Sequence, residues 1–295
     1  MKGCAILTTQ SPLRYPGGKS KLTPIVKTIL KNNSVNGTYI EPFAGGSGVA
    51  LQLIIDGPVS DIVINDYDKA IYSVWRAIKE NHNQLIKLIE DTPITIDEWR
   101  NQKHIYLTNN NRYSLELAFA TLFLNRTNHS GILSSGPIGG YEQNGHYKLD
   151  VRFSKADIIR KIRTIASYKK HIHVYNKDII SFIDNILPKY TNNSFVYFDP
   201  PYFNKGSELY KNYFTLSDHV KLHDEITKNV DIPWLITYDN TTEIIDIYKS
   251  EYKIALFDLS YGTSNRKAVS EIAILHNNNF KFIQGDEKFN FRMMK

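Results

Sequence analysis

A doubly wound α/β sheet is the fold this chain predicts, on three observations. Short apolar runs alternate with helical patterns, the rhythm of a largely parallel sheet. A glycine-rich turn, Phe43-Ala44-Gly45-Gly46-Ser47-Gly48, joins the first run to a helical pattern. Several runs end on acidic residues, at the strand ends where such sheets bind ligands.

Taken in order, Thr38-Tyr39-Ile40-Glu41-Pro42 reads as the first strand and Val49 to Ile55 as the helix after the turn. Glycines there permit a tight turn and a close backbone approach to a ligand at the helix N-terminus. The second strand, Ile62-Val63-Ile64-Asn65, delivers Asp66. An acid about 20 residues beyond such a turn is placed to grip ribose hydroxyls. The run is not a literal G-x-G-x-x-G, so a dinucleotide site is not supported. His171 to Tyr175 is a further strand, ending near Asp178. Phe195 to Phe198, Pro233 to Tyr238 (followed by Asp239-Asn240) and Glu271 to Leu275 complete the strands. Leu216 to Asn229 reads as a helix with Ser217 as its N-cap.

Between Tyr67 and Ser167 the rhythm changes. Asp68 to Ile89 and Ser114 to Leu124 read as helices, followed by a glycine-, serine- and asparagine-rich stretch from Asn125 to Tyr147. That stretch carries Arg126, Asn128, His129, Ser130 and Gln143, groups able to bond base edges or phosphates. From Asp97 to Tyr175 there are 12 lysines and arginines against 6 acids, an excess equal to the net +6 of all 295 residues. A basic segment between neutral flanks suits a polyanion, although Lys155 to Lys170 also reads as a solvated helical face. The expected division is therefore a ligand-binding domain over 1–68 and 168–295, with a mainly helical, basic insertion over 69–167.

Composition excludes several classes. Cys4 is the sole cysteine, which removes disulfides and cysteine-based zinc sites. No cluster of ligating residues has metal spacing, so no metal is expected. No apolar stretch reaches membrane length, and Met1 to Gln10 is too short and weakly charged for a leader, so a cytosolic setting is expected. Arg14-Tyr15-Pro16-Gly17-Gly18-Lys19-Ser20 imitates a P-loop ending, but Leu13 stands where that motif needs glycine.

Asp199-Pro200-Pro201-Tyr202 follows the strand Phe195 to Phe198. Two prolines fix φ and lack N–H groups, so the strand stops there, and Pro200 pushes Asp199 towards extended backbone. The corner presents a carboxylate, carbonyls and an aromatic ring, which suits a flat substrate bearing an amine. Alone it reads equally well as a strand cap.

Four pieces in order now carry a resemblance: Tyr15-Pro16-Gly17-Gly18-Lys19, then Glu41 to Gly48, then Asn65-Asp66, then Asp199-Pro200-Pro201-Tyr202. Together they resemble the DNA adenine-N6 methyltransferases of the alpha group (D12 class), which include the GATC-methylating deoxyadenosine methylases. The resemblance implies a Rossmann-like methyltransferase sheet, S-adenosylmethionine as cofactor and double-stranded DNA as partner, with 69–167 as target-recognition region. It implies that Tyr15, Lys19, Phe43, Gly45, Gly48, Asp66, Asp178 and Asp199 line the cofactor site, Lys19 near the carboxylate and Asp66 on the ribose. Asp66 and Asp178 also read as turn or cap residues. Asp199, Pro200, Pro201 and Tyr202 would be catalytic. The carboxylate and the Pro200 carbonyl would accept the amine hydrogens of a flipped adenine stacked on Tyr202, and the methyl group would transfer directly.

Arg126, Asn128, His129, Arg266 and Lys267 are the implied DNA contacts. Arg266 and Lys267 lie in Tyr261 to Lys267, which also reads as a hairpin. Ile132-Leu133-Ser134-Ser135-Gly136 replaces the arginine-tyrosine-asparagine stretch of GATC enzymes, so GATC is not the implied site. Methylation of RNA adenine and a non-catalytic nucleic-acid-binding relative are the alternatives. The aspartate of D-P-P-Y disfavours a glutamine methyltransferase of the N-P-P-Y type. A cognate restriction enzyme is a partner such an enzyme would have, and monomer and weak dimer both stay open.

Overall fold

A computed structural model describes residues 9–15, 18–109, 112–204, 214–259, 269–276 and 292–294. Along the chain come α1 (Thr23–Asn32), β1 (Thr38–Glu41), α2 (Gly48–Asp56), β2 (Asp61–Asn65), α3 (Lys69–Glu80), α4 (His82–Asp91), α5 (Ile96–Thr108) and α6 (Leu115–Thr127). Then follow α7 (Lys155–Ser167), β3 (Ile172–Tyr175), α8 (Ile179–Asn185), β4 (Ser194–Phe198), α9 (Leu216–Asn229) and β5 (Trp234–Asp239). The last are α10 (Thr242–Tyr248), β6 (Lys253–Leu259), β7 (Val269–Leu275) and β8 (Arg292–Met293). The residues gather into two compact units, one of 1–23, 45–57 and 66–176, the other of 24–44, 58–65 and 177–295.

In the second unit the strands run in the order β2-β1-β4-β5-β7-β6-β8. From β2 to β5 the neighbours are parallel, with Ile40 of β1 opposite Val63 of β2 and Val196 of β4. β7 runs antiparallel to both β5 and β6. The reading of a doubly wound α/β sheet therefore holds, with an antiparallel edge. Every residue of β4 and β5 is buried, as expected of parallel strands covered on both faces. The strand order reverses between β1 and β4, and such a switch point opens a crevice beyond the carboxyl ends of the two strands.

Helices α8, α9 and α10 pack in succession beside these strands. The N-cap of α9 is Thr215 rather than Ser217. Its hydroxyl accepts from Asp218 N, and the Asp218 carboxylate accepts from Thr215 N, a reciprocal capping box.

The first unit is organised around α6, of whose residues only Leu115, Glu116 and Arg126 escape burial. A helix apolar on all sides must be enclosed, and α3, α4 and α5 enclose it. The stretch expected as one helix from Asp68 to Ile89 is two, broken at Asn81. Asp68 caps α3 by accepting from Ala70 N. Helix α5 begins at the Thr95 cap, which accepts from Glu98 N. The long stretch after α6 is tied by Gln143, which donates to Ile138 O and Gly140 O and accepts from Leu149 N.

Candidate active site

Asp199-Pro200-Pro201-Tyr202 leaves the carboxyl end of β4, where Pro200 is buried and Asp199, Pro201 and Tyr202 are half-buried. Thr237 of β5, 1% exposed, donates its hydroxyl hydrogen to Asp199 Oδ1 at 3.0 Å. Asp239 at the end of β5 accepts from Phe203 N and Asn204 N, both at 3.0 Å, one with each carboxylate oxygen. Behind this corner lies an aromatic cluster. The Phe203 and Phe214 rings pack against His219, and Phe43 meets Phe214 edge-on at 5.8 Å. His219 is fully buried, its Nδ1 lies 3.1 Å from the Tyr238 hydroxyl, and burial pushes its pKa down to about 4, so it stays neutral.

Asn65 closes β2 in the same unit. Its amide donates to Pro42 O and Lys177 O and accepts from Lys177 N, which fixes the start of the glycine turn. Asp178, expected near the cofactor, caps α8 by accepting from Ser181 N at 2.9 Å. That bond leads the factors that lower its pKa.

The glycine turn itself belongs to the first unit. Gly45 has φ +45°, and a Cβ there would lie 2.7 Å from the Tyr15 ring; only glycine avoids that contact without strain. A Cβ at Gly48 would meet the Ser20 hydroxyl. Gly45 O accepts from Trp75 Nε1, and Gly45 N donates to Asp66 Oδ2 at 2.8 Å. Asp66 Oδ1 accepts from Asp68 N. Burial, and then the nearby Asp68, push the Asp66 pKa up to about 7, against the pull of those two amides. Lys19, 6% exposed, opens a 3-10 turn that packs on α2.

The basic region divides in two. On α7 the charges are met locally: Arg160 and Lys161 pair with Asp157, and Lys155 donates to Glu90 O and Thr92 O. That face is the solvated one. Arg14 and Arg152 instead line a cleft of about 520 Å³ with His129, His146 and Tyr147. Burial lowers the Arg14 pKa, and Arg152 adds to the effect. Arg126 is brought down to about 10 by burial first and then by Arg14; its guanidinium donates to Pro12 O. Asn125 grips the Arg14 backbone twice, accepting from Arg14 N at 2.7 Å and donating to Arg14 O at 2.8 Å.

Asn128 departs from its expected role. It is fully buried, accepts from Trp99 Nε1 and donates to Ile132 O and Leu133 O, so its amide is spent inside the unit. Arg266 and Lys267 lie outside the described residues, as do Pro16 and Gly17. Sequence reasoning gave no role to Arg14, Arg152, Thr237 or Asp239. Thr237 and Asp239 had a signal: two polar residues at alternate positions of an otherwise apolar strand.

The switch-point crevice and the acid-proline-proline-tyrosine corner beyond β4 place a candidate ligand site at the carboxyl ends of a doubly wound α/β sheet. The chain belongs to the D12 class N6 adenine-specific DNA methyltransferase family, whose model matches residues 15–262. Its activity is site-specific methylation of adenine in DNA.

It is 25% identical over 230 residues to the type II methyltransferase M.MjaIII of Methanocaldococcus jannaschii, covering 71% of this chain and 76% of that one. It is 24% identical to the type II methyltransferase M1.LlaDCHI of Lactococcus lactis subsp. cremoris, covering 72% and 74%. To the modification methylase StsI of Streptococcus sanguinis it is 26% identical, covering 65% of this chain and 28% of that protein. Among solved structures, the rRNA methyltransferase aviRa from Streptomyces viridochromogenes aligns at 11% identity and a TM-score of 0.41, covering 89% of this chain and 86% of that one. No helix among the described residues is long and apolar enough to cross a membrane, and those residues hold no cluster of three metal-ligating side chains.

Proposed function

We propose that the chain methylates N6 of an adenine in double-stranded DNA with S-adenosylmethionine as donor. The carrying observation is the placement of Asp199-Pro200-Pro201-Tyr202 at the carboxyl end of β4, beside β1 at the strand-order reversal. When bound, the donor supplies an electrophilic methyl group on a sulfonium.

The glycine turn supports that reading through its packing: a side chain at Gly45 or Gly48 would collide with Tyr15 or Ser20, in the segment given to the donor. Tyr15, Lys19, Phe43, Gly45, Gly48 and Asp66 bind the donor, with the Asp66 carboxylate accepting from the ribose hydroxyls. Asp178 contributes second to its work as a helix cap. Asp199 and the Pro200 carbonyl accept the two amine hydrogens of adenine, which concentrates the nitrogen lone pair towards the methyl group. Pro201 holds the corner rigid, and Tyr202 stacks on the base, which must leave the duplex to be reached. The chain supplies the acceptors for direct displacement, with no covalent protein intermediate.

Arg14, Arg152 and His129 bring the cleft of the first unit to the phosphates, with Arg126 adding charge beneath. Arg266 and Lys267 remain candidates for further phosphate contacts. Such an enzyme acts in the cytoplasm of a prokaryotic or phage-infected cell, with a restriction enzyme of matching specificity as its functional partner. The test is transfer of labelled methyl groups to duplex DNA, with structured RNA in competition. Asp199→Ala is expected to abolish labelling while the fold, followed by circular dichroism, stays intact. Full labelling by that variant would overturn the mechanism, and preferential labelling of RNA would overturn the substrate.

A further inference from the structure

Two hydroxyls stand behind the Asp199 carboxylate, and the hydrogen count gives them a direction. Thr237 Oγ1 lies 3.0 Å from Asp199 Oδ1 and 2.7 Å from the Tyr197 hydroxyl oxygen. A threonine hydroxyl has one hydrogen, and a carboxylate can only accept it. The Tyr197 hydroxyl must therefore be the donor to Thr237, which gives a relay from Tyr197 through Thr237 to Asp199.

Both relay members are buried, Tyr197 at 2% and Thr237 at 1% exposure. Burial and then Asp199 raise the Tyr197 pKa well above its usual value, so the proton that orders the relay stays in place. The register explains the arrangement. Tyr197 is opposite Leu235 and Phe198 opposite Ile236, so Asp199 falls in step with Thr237. Strand alternation then sets Tyr197, Asp199, Leu235, Thr237 and Asp239 on one face. From that face Thr237 holds the first residue of the corner and Asp239 holds the backbone just after Tyr202.

We propose that Thr237, ordered by Tyr197, is a positioning residue that sets the plane of the Asp199 carboxylate and so aims it at the amine of the target base. The inference rests on the role of Asp199 proposed above. With one oxygen held, the remaining freedom about the Cβ–Cγ bond is removed before substrate arrives. Displacing a reacting group by about 1 Å costs on the order of a hundred-fold in rate.

The experiment compares Thr237→Val, Thr237→Ser and the double variant Tyr197→Phe/Thr237→Val with the wild type. Single-turnover methylation is measured at saturating donor and duplex DNA, with donor and DNA affinities measured separately. Thr237→Val is expected to slow transfer by at least about ten-fold with both affinities within two-fold or so of wild type. Thr237→Ser, which keeps the hydroxyl, is expected to recover most of the rate. The double variant removes both partners and leaves no orphaned tyrosine hydroxyl, so it should fold like wild type and stay as slow as Thr237→Val. Wild-type rates in Thr237→Val or in the double variant would overturn the proposal. So would a loss carried wholly by affinity, or a serine variant as slow as valine. Asp199→Ala is run alongside. If it remains active, the reading of Asp199 fails; if it is inactive while Thr237→Val is fast, only the positioning role fails.

Discussion

Donor affinity should fall as pH drops through neutrality, and Asp66 is the reason. Its carboxyl is held at about 7 by burial and Asp68, so protonation competes with the ribose hydroxyls for the same oxygens. With that pKa the group is about nine-tenths ionised at pH 8 and about one-tenth at pH 6. If only the ionised form accepts from the ribose, the dissociation constant rises about ten-fold between those two values, or about 1.4 kcal/mol. The sign follows from the raised pKa: binding favours the deprotonated form, so affinity is full above 7 and lost below it. Near pH 7 binding should release about half a proton, readable by calorimetry in buffers of different ionisation enthalpy. Asp66→Asn supplies the baseline, because the donor's own amino group titrates equally in both proteins. The variant should bind more weakly at pH 8 and lack the ten-fold slope. Parallel profiles for wild type and variant would refute the assignment of the ribose to Asp66.

Two further outcomes test the rest of the first unit. Arg152→Ala should lower the slope of log affinity against log salt for duplex DNA by about 1, and an unchanged slope would remove the cleft from the DNA interface. Gly45→Ala forces an alanine to φ +45° and its Cβ to 2.7 Å from the Tyr15 ring. It should cost about 1–2 kcal/mol of stability by urea melting and weaken donor binding by calorimetry, and an unaffected donor affinity would sink the cradle.

The strands that were legible in the sequence are those whose burial is continuous. β4 and β5 read as uninterrupted apolar runs because parallel strands are covered on both faces. β6 (Lys253–Leu259) escaped notice because charged residues at Lys253 and Asp258 break its run, and its partner β7 is antiparallel, against the rhythm of the rest. Helix α5 was equally quiet, since only Trp99, Gln102 and Tyr106 along its length are buried. In the site, Asp199 and Gly45 were visible because prolines and glycines constrain the backbone locally. Thr237 and Asp239 left only the faint signal of polar residues in an apolar strand and Arg152 none, since their placement comes from a register and a cleft that only the folded chain assembles. Asn128 misled for a related reason: a polar residue in a basic loop reads as a contact, whereas Trp99 and two carbonyls had already claimed its amide.

The grip of Asn125 on the Arg14 backbone bears on how such an enzyme changes its target. Arg14 lines the cleft, and the next residue, Tyr15, lies over the glycine turn. Helix α6 ends beside the long loop that lines the cleft and, through Asn125, sets the course of that same short peptide. The cleft and the glycine turn, to which the proposed function gives the DNA and the donor, therefore share one stretch of chain. If that cleft reads the target as proposed, it is not an interchangeable cassette: transplanting the loop after α6 from a relative with another target would require residues 11–15 to travel with it. New specificities would then arise by paired replacement of two segments that are distant in sequence and adjacent in the fold.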